Sequence, residues 1–272
     1  MNPLQQSVYK SVPSLGDLLF VAADFKDHRF EKHFHDHYVF GFNLAGAHDF
    51  YFHRHVHTLG TDQIVVIPPG EIHTGISHNH GAWQYRAIYP DASVIAYLLG
   101  EQMSRLRIEA PYVSSQDARY HLQQATQYLI TNEVHLAEES LILFFLALEQ
   151  TSTSANGSRA STPPTLVERM TEYLCDHGEH QVRLDALEKE LSYSKYHLVR
   201  LFKQYVGVSP IQFHRSVRLS RSFKHLLRTQ DIVQTALDLD FYDQSHFTNH
   251  FKKFYGFTPY ELLKGHSTKR KP

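Results

Sequence analysis

The chain has 272 residues, and its 27 Lys and Arg nearly balance its 28 Asp and Glu. A single cysteine, Cys175, rules out an intrachain disulfide and any zinc site built from paired cysteines. The near-neutral total hides an asymmetry: residues 1–164 carry 10 basic against 16 acidic side chains, and residues 165–272 carry 17 against 12, so a polyanion is expected to meet the second half.

The opening "MNPLQQSVYKSVPSLGDLLF" lacks the charged start and unbroken apolar stretch of a signal peptide. The longest apolar run, "LILFFLAL" at 141–148, is too short to span a bilayer, so a cytoplasmic protein without membrane contact is expected. Residues 18–95 read as short strands. "YVFGFNLAG" places Tyr38, Phe40, Phe42 and Leu44 on one face, "HDFYF" follows a turn at Gly46, and "QIVVI" stops at "PPGE". Such strands predict a small β-barrel or sandwich.

From residue 93 to 150 the pattern becomes helical. In "NEVHLAEESLILFFLALEQT" Leu136, Ser140, Leu143, Phe144 and Ala147 share one face, while Leu141, Phe145 and Leu148 line a neighbouring one. Two apolar faces on one helix predict a second contact, read as homodimerisation. Residues 151–164, "TSTSANGSRASTPP", have the composition of a flexible linker. The expected organisation is a first domain at 1–150 that also dimerises, a linker at 151–164, and a second domain at 165–272.

The second half contains a duplication. "LVRLFKQYVGVSP" at 198–210 aligns with "FTNHFKKFYGFTP" at 247–259, matching Phe202 to Phe251, Lys203 to Lys252, Gly207 to Gly256 and Pro210 to Pro259. In the first copy Leu198, Leu201, Phe202 and Tyr205 form the predicted buried stripe; in the second, Phe247, Phe251 and Phe254 do. Ser194 and Asp243 suit the two N-caps, and each copy closes on a glycine followed by a proline. Shorter periodic segments, "LDALEKEL" and "DIVQTALDL", precede them across brief turns, so the pattern is helix-turn-helix, twice.

The outward residues fit a DNA duplex. Lys195, Arg200 and Gln244 can reach base edges, Gln244 and Asn249 suit the adenine edge, and Lys203 and Lys252 suit phosphate. Tyr196, Val199, Ser245 and Thr248 complete the exposed faces. Arg215, Arg218, Arg221, Lys224 and Arg228 make the connecting helix basic as well.

With these residues in view, "LSYSKYHLVRLFKQYVGVSP" and "ALDLDFYDQSHFTNHFKKFYGFTPYE" resemble the DNA-binding domain of AraC/XylS-type transcription regulators over residues 166–264. The resemblance implies two recognition helices on a long linking helix, entering successive major grooves of promoter half-sites. It implies base readers at Tyr196, Val199 and Arg200, then at Gln244, Ser245 and Asn249, with RNA polymerase as a further partner. Ser192 and Asp240 depart from the family by standing where a glycine usually forms each inter-helix turn, and Asn249 stands where arginine is common.

"HFHDHYVFGFNLAG", "GTDQIVVIPPGEIHTG" and "YRAIYP" also resemble the cupin-like sensor barrel of such regulators, more loosely, over residues 18–150. The implied fold class is α+β and multidomain: a cupin-like barrel with trailing helices, then an all-α domain with two helix-turn-helix motifs. A small organic effector is expected in the barrel, lined by Tyr38, Phe42, Trp83 and Tyr85 with His33, His35 and His73 as polar groups. The alternative is a metal-dependent cupin enzyme fused to a DNA-targeting module. His33 and His35 with His73 suit a metal, but the carboxylate that such enzymes place soon after the HxH pair is missing from "YVFGFN". No catalytic residue, metal or cofactor is therefore assigned. His48, His53, His55, His57, His78 and His80 are expected in turns or hairpin edges, mostly solvated.

Overall fold

The computed structural model describes residues 8–52, 55–100, 111–151 and 164–266. By contacts the chain divides into two compact units. The first comprises Met1–Arg29, Asp36–Glu71 and Gly75–Ser158; the second comprises Arg159–Pro272 together with two short stretches, Phe30–His35 and Ile72–Thr74. Apart from Thr151 and Pro164, the expected linker lies outside the described residues, as does His53.

The strands are β1 (Val8–Val12), β2 (Leu18–Lys26), β3 (Arg29–His33), β4 (Val39–Ala45), β5 (His48–Phe52), β6 (His55–Leu59), β7 (Ile64–Ile67), β8 (His73–Ser77), β9 (Ala82–Tyr89) and β10 (Tyr112–Val113). They form a six-stranded sheet in the order β1-β2-β9-β4-β7-β10 and a four-stranded sheet in the order β3-β8-β5-β6. Among the described residues neither sheet closes into a ring, so the expected barrel is realised as two open sheets. Val39, Val65, Ile67 and Ala87 of the larger sheet share a core with Phe50, Phe52 and Leu59 of the smaller.

Strand alternation determines what each face does. On β4, Val39 joins the inter-sheet core, whereas Phe40 and Phe42 join the core built with the helices. Those helices are α1 (Ala92–Leu99), α2 (Gln116–Thr131) and α3 (Val134–Thr151). Phe40 meets Phe144 and Phe145 edge-on, with ring centroids 5.3 and 5.2 Å apart. On α3, Ala137, Ser140, Leu141, Phe144, Phe145 and Leu148 are buried, while Leu136 and Leu143 remain 41% and 40% exposed. The two faces drawn from the sequence are thus regrouped: the stripe through Leu141, Phe144, Phe145 and Leu148 is core, and the pair Leu136 and Leu143 stands apart from it.

The second unit contains α4 (Thr165–Asp176), α5 (Leu184–Leu191), α6 (Lys195–Val206), α7 (Pro210–Thr229), α8 (Ile232–Asp238), α9 (Gln244–Tyr255) and α10 (Pro259–His266). Helix α7 is its axis, packed by α4, α6, α8, α9 and α10. Leu198 and Phe202 of α6 pack with Val167, Met170, Leu174, Leu187 and Leu191, and Phe34 and Ile72 belong to the same core. Phe247, Phe251 and Phe254 of α9 are buried as the periodicity requires. Tyr205, expected on the buried stripe of α6, is instead 38% exposed. It lies seven residues beyond Leu198, where a straight helix has drifted by about 20°, and in the last turn before the cap.

Helices α6 and α9 stop in the same way. Gly207 (φ 88°) and Gly256 (φ 85°) adopt the left-handed conformation that glycine enters without a Cβ penalty. Their amides donate to the carbonyls of Lys203 and Lys252 at 3.1 and 2.8 Å. Pro210 and Pro259 then open α7 and α10, where a missing N–H costs nothing.

Candidate functional site

The first helix-turn-helix is α5, a three-residue turn and α6; the second is α8, a five-residue turn and α9. Ser192 (φ 59°) and Asp240 (φ 58°), which replace the usual glycine, both adopt the left-handed conformation. The first turn is closed by one bond, from the Ser192 amide to the Glu188 carbonyl at 3.0 Å. The second is a full Schellman closure, with the Asp240 amide donating to Leu237 at 3.0 Å and the Phe241 amide to Ala236 at 2.9 Å.

The second turn is also held from outside. Arg218, 5% exposed, donates from Nη1 to the carbonyls of Leu239 and Asp240 at 3.1 and 2.8 Å. Its guanidinium lies 4.7 Å over the ring of buried Phe241. The Asp240 carboxylate accepts from the Gln181 amide at 2.9 Å. Arg218, read from the sequence as part of a basic surface, is therefore a buried clamp on this turn. Arg221 likewise donates to the Cys175 carbonyl, at 2.5 Å.

The outward faces of α6 and α9 are presented as the spacing requires. The Ser194 hydroxyl accepts from the His197 amide at 3.4 Å and the Asp243 carboxylate from His246 at 2.6 Å, so both helices carry the predicted N-caps. On α6, Tyr196 is 81% exposed, Arg200 and Lys203 are exposed, and Lys195 and Val199 are half-buried. With Gln204 these residues line an open groove of about 870 Å³. Lys195 is already paired, its Nζ 3.0 Å from Asp185 Oδ1, and each partner holds the other's charged form more firmly. On α9, Gln244, Ser245, Asn249 and Lys252 are exposed and Thr248 is half-buried. Two histidines that the sequence reading passed over share that helix, with His246 and His250 Nε2 atoms 3.1 Å apart. Burial, then the nearby basic groups Arg215, His246 and Lys253, lowers the His250 pKa to about 4.

The seven ligand-binding candidates fall into three groups. Trp83 and Tyr85 of β9 stand around His48, with ring centroids 5.4 and 5.5 Å from it. Tyr38 and Phe42 lie on the helix-covered side of β4, Tyr38 stacked on Phe40 at 5.9 Å and Phe42 beneath the Arg119 guanidinium at 4.7 Å. His33, His35 and His73 belong to the second unit and form a cluster of their own.

His48 was expected to be solvated; it is 5% exposed, because β5 alternation turns it inward with Phe50 and Phe52. Its Nδ1 pairs with the side-chain oxygen of Asn43 at 3.0 Å, and Asn43, fully buried, donates to the Leu59 carbonyl at 2.9 Å. Burial lowers the His48 pKa to about 4 and raises that of the Tyr85 phenol. Gly41 makes room for that phenol, since a Cβ there would lie 2.1 Å from the Tyr85 hydroxyl oxygen. The sequence signal for this polar interior was the phase of β5: His48, Phe50 and Phe52 alternate. His78, hydrogen-bonded to Asp49 at 2.8 Å, is partly buried, while His55 and His80 are exposed as expected.

Two family models match the chain: an AraC-like ligand binding domain over residues 15–146 and a helix-turn-helix domain over residues 187–265. The chain belongs to the AraC family of transcription regulators. Among AraC-family relatives, it is 27% identical over 225 residues to the uncharacterized HTH-type transcriptional regulator YbfI of Bacillus subtilis, covering 80% of this chain and 81% of that one. It is 22% identical to the HTH-type transcriptional activator RhaS of Klebsiella pneumoniae, across 87% and 88% of the two chains. In fold it is similar to ToxT of Vibrio cholerae crystallised with an unsaturated fatty acid, at a TM-score of 0.58, 17% identity and full coverage of both chains. A second ToxT structure, from strain O395, gives a TM-score of 0.55 at 15% identity, covering 92% of this chain and 98% of that one. This AraC-family chain thus joins a ligand-binding domain to a DNA-binding one, and among its described residues no helix is long and apolar enough to cross a membrane.

Proposed function

We propose that α6 and α9 enter successive major grooves on one face of promoter DNA, and that a small organic effector bound within the first unit sets how that DNA is occupied. One observation carries this reading: two helix-turn-helix motifs of the same design share one central helix, α7, each with a capped recognition helix whose outward face is polar or cationic. The base and phosphate contacts come from Lys195, Tyr196, Val199, Arg200 and Lys203, then from Gln244, Ser245, Thr248, Asn249 and Lys252. Because Lys195 is paired with Asp185, it exchanges one anion for another on reaching DNA.

The effector reading rests on the buried polar groups Asn43 and His48 and the half-buried Tyr85 beside Trp83, which suit a partly apolar, hydrogen-bonding molecule. Domains at 1–150 and 165–272 joined by residues 151–164 give the regulator a sensor and a reader. Leu136 and Leu143, exposed two turns apart on α3, supply apolar surface for a homodimer acting on paired half-sites. Contact with RNA polymerase and a cytoplasmic, nucleoid-associated location follow from that role. No catalytic step is assigned.

Footprinting on promoter DNA with and without candidate metabolites tests the proposal. The wild-type chain protects two segments about 34 Å apart, one helical repeat. A metabolite that raises the melting temperature also alters the footprint. A single protected segment, or an unchanged footprint in Arg200→Ala, overturns the assignment of the two helices.

A further inference from the structure

We propose that His33, His35 and His73 form a binding site for a late first-row divalent metal ion, with zinc as its type. The site is distinct from the effector interior around His48 and does not depend on that reading. The three side chains are 9%, 2% and 6% exposed. One nitrogen from each lies within 4.8 Å of the other two, the one such group of His, Cys, Asp or Glu among the described residues. Their rings approach pairwise at 5.9, 4.4 and 4.8 Å between centroids.

The chain builds this convergence from simple parts. His33 ends β3 and His35 follows two residues later, just past the strand, and the two imidazoles converge. His73 opens β8, the neighbour of β3 in the smaller sheet. The His33 Nδ1–H donates to the Glu31 carbonyl at 2.7 Å, which leaves Nε2 as the nitrogen with a lone pair to offer. A backbone carbonyl fixing the far side of the ring is how metal-bound imidazoles are commonly oriented. The ring of Phe254, 4.8 Å from that of His33, adds an apolar wall.

The distances are compatible with closure on an ion. Tetrahedral zinc with Zn–N bonds of about 2.0–2.1 Å needs donors about 3.3 Å apart. Contracting a 4.8 Å triangle to that size moves each nitrogen by about 1 Å, within the broad rotation of a histidine ring about χ2. Three imidazoles with no carboxylate or thiolate select zinc, cobalt, nickel or copper over magnesium or calcium. Three protein ligands also leave a fourth position for water or another small donor.

The test uses the full chain, stripped with a chelator, titrated with cobalt and zinc, and followed by visible absorption and calorimetry. One ion per chain is expected, with the intense visible band of low-symmetry cobalt. His33→Gln and His73→Ala should each weaken binding at least about 100-fold, since even the partners that orient a ligand are worth about 10–100-fold. The histidine pair on α9 is the internal control: His246→Ala with His250→Ala must leave the stoichiometric site intact. His33→Gln keeps a hydrogen-bonding side chain, so circular dichroism of that variant separates lost binding from lost folding. A wild-type chain that takes up no ion, or a signal lost in the α9 double variant and kept in a folded His33→Gln, overturns the proposal.

Discussion

The two helix-turn-helix motifs are copies that solve the same problem with different emphasis. The first brings the charge: Lys195, Arg200 and Lys203 beside Tyr196, on a turn of three residues closed by one backbone bond. Beside Lys252, the second brings neutral hydrogen-bonding groups, Gln244, Ser245 and Asn249, on a turn of five residues closed by two backbone bonds and gripped by Arg218. The extra length accommodates Phe241, which is buried and faces the Arg218 guanidinium. Duplication preserved the frame, while the means of holding the turn and the means of meeting DNA diverged separately.

The largest expected effect tests the grip on the second turn. Arg218→Ala removes two charge-assisted bonds to carbonyls and should cost about 3 kcal/mol in chemical denaturation. Hydrogen exchange should show α8 and α9 losing protection ahead of α5 and α6. Equal loss in both motifs would mean that the residue serves the whole bundle.

Next comes DNA affinity, where the two outward faces can be ranked. Arg200→Ala should weaken specific binding by about 10- to 100-fold, and Asn249→Ala by nearer the lower figure, from the worth of a base contact at about 1–3 kcal/mol. Lys203→Ala should shrink the slope of log affinity against log salt by about 0.9, whereas Asn249→Ala leaves it unchanged. A larger loss at Asn249 than at Arg200 would reverse the contrast drawn between the copies.

A smaller effect separates the two left-handed turn residues. Ser192→Gly relieves a positive φ without breaking a side-chain bond at that position and should stabilise by about 1 kcal/mol. Asp240→Gly relieves the same strain but gives up the bond to the Gln181 amide, so its gain should be less or absent. Equilibrium denaturation of the two variants reads the difference directly.

The last contrast is with pH. His250 has no counterpart in the first copy, where Leu201 stands at the equivalent position. Its pKa is lowered to about 4 from 6.5, so the unfolded chain takes the proton more readily. The neutral ring's contribution is complete above 6.5 and falls away as pH drops toward 4. Ring-proton chemical shifts should show His250 unprotonated at pH 6; titration near 6.5 would contradict this environment.

Much of the second unit was legible in the sequence because its signals are local. Caps at Ser194 and Asp243, the apolar stripes of α6 and α9, and the glycine-proline endings are each written within a few residues. Arg218 was misread because nothing in its neighbourhood distinguishes a basic surface from a clamp; its acceptors lie 21 and 22 residues away. In the first half, strands were recognisable by alternation, but which face met the helices depended on packing between distant segments. Phe42 therefore went beneath the helices with Phe40, and His48, expected in water, turned inward. His33, His35 and His73 were singled out by spacing, while their convergence needed the pairing of β3 with β8.

The shared ending of α6 and α9 has a consequence for how such a protein changes over time. With each helix fixed at twelve residues between a side-chain cap and a left-handed glycine, outward positions correspond one to one between the copies at an offset of 49. On the proposed reading, a substitution on either outer face alters what is recognised without shifting the register of the buried stripe. The two helices' outer faces can accordingly change one side chain at a time, or be regrafted from one to the other, with the scaffold left as it is.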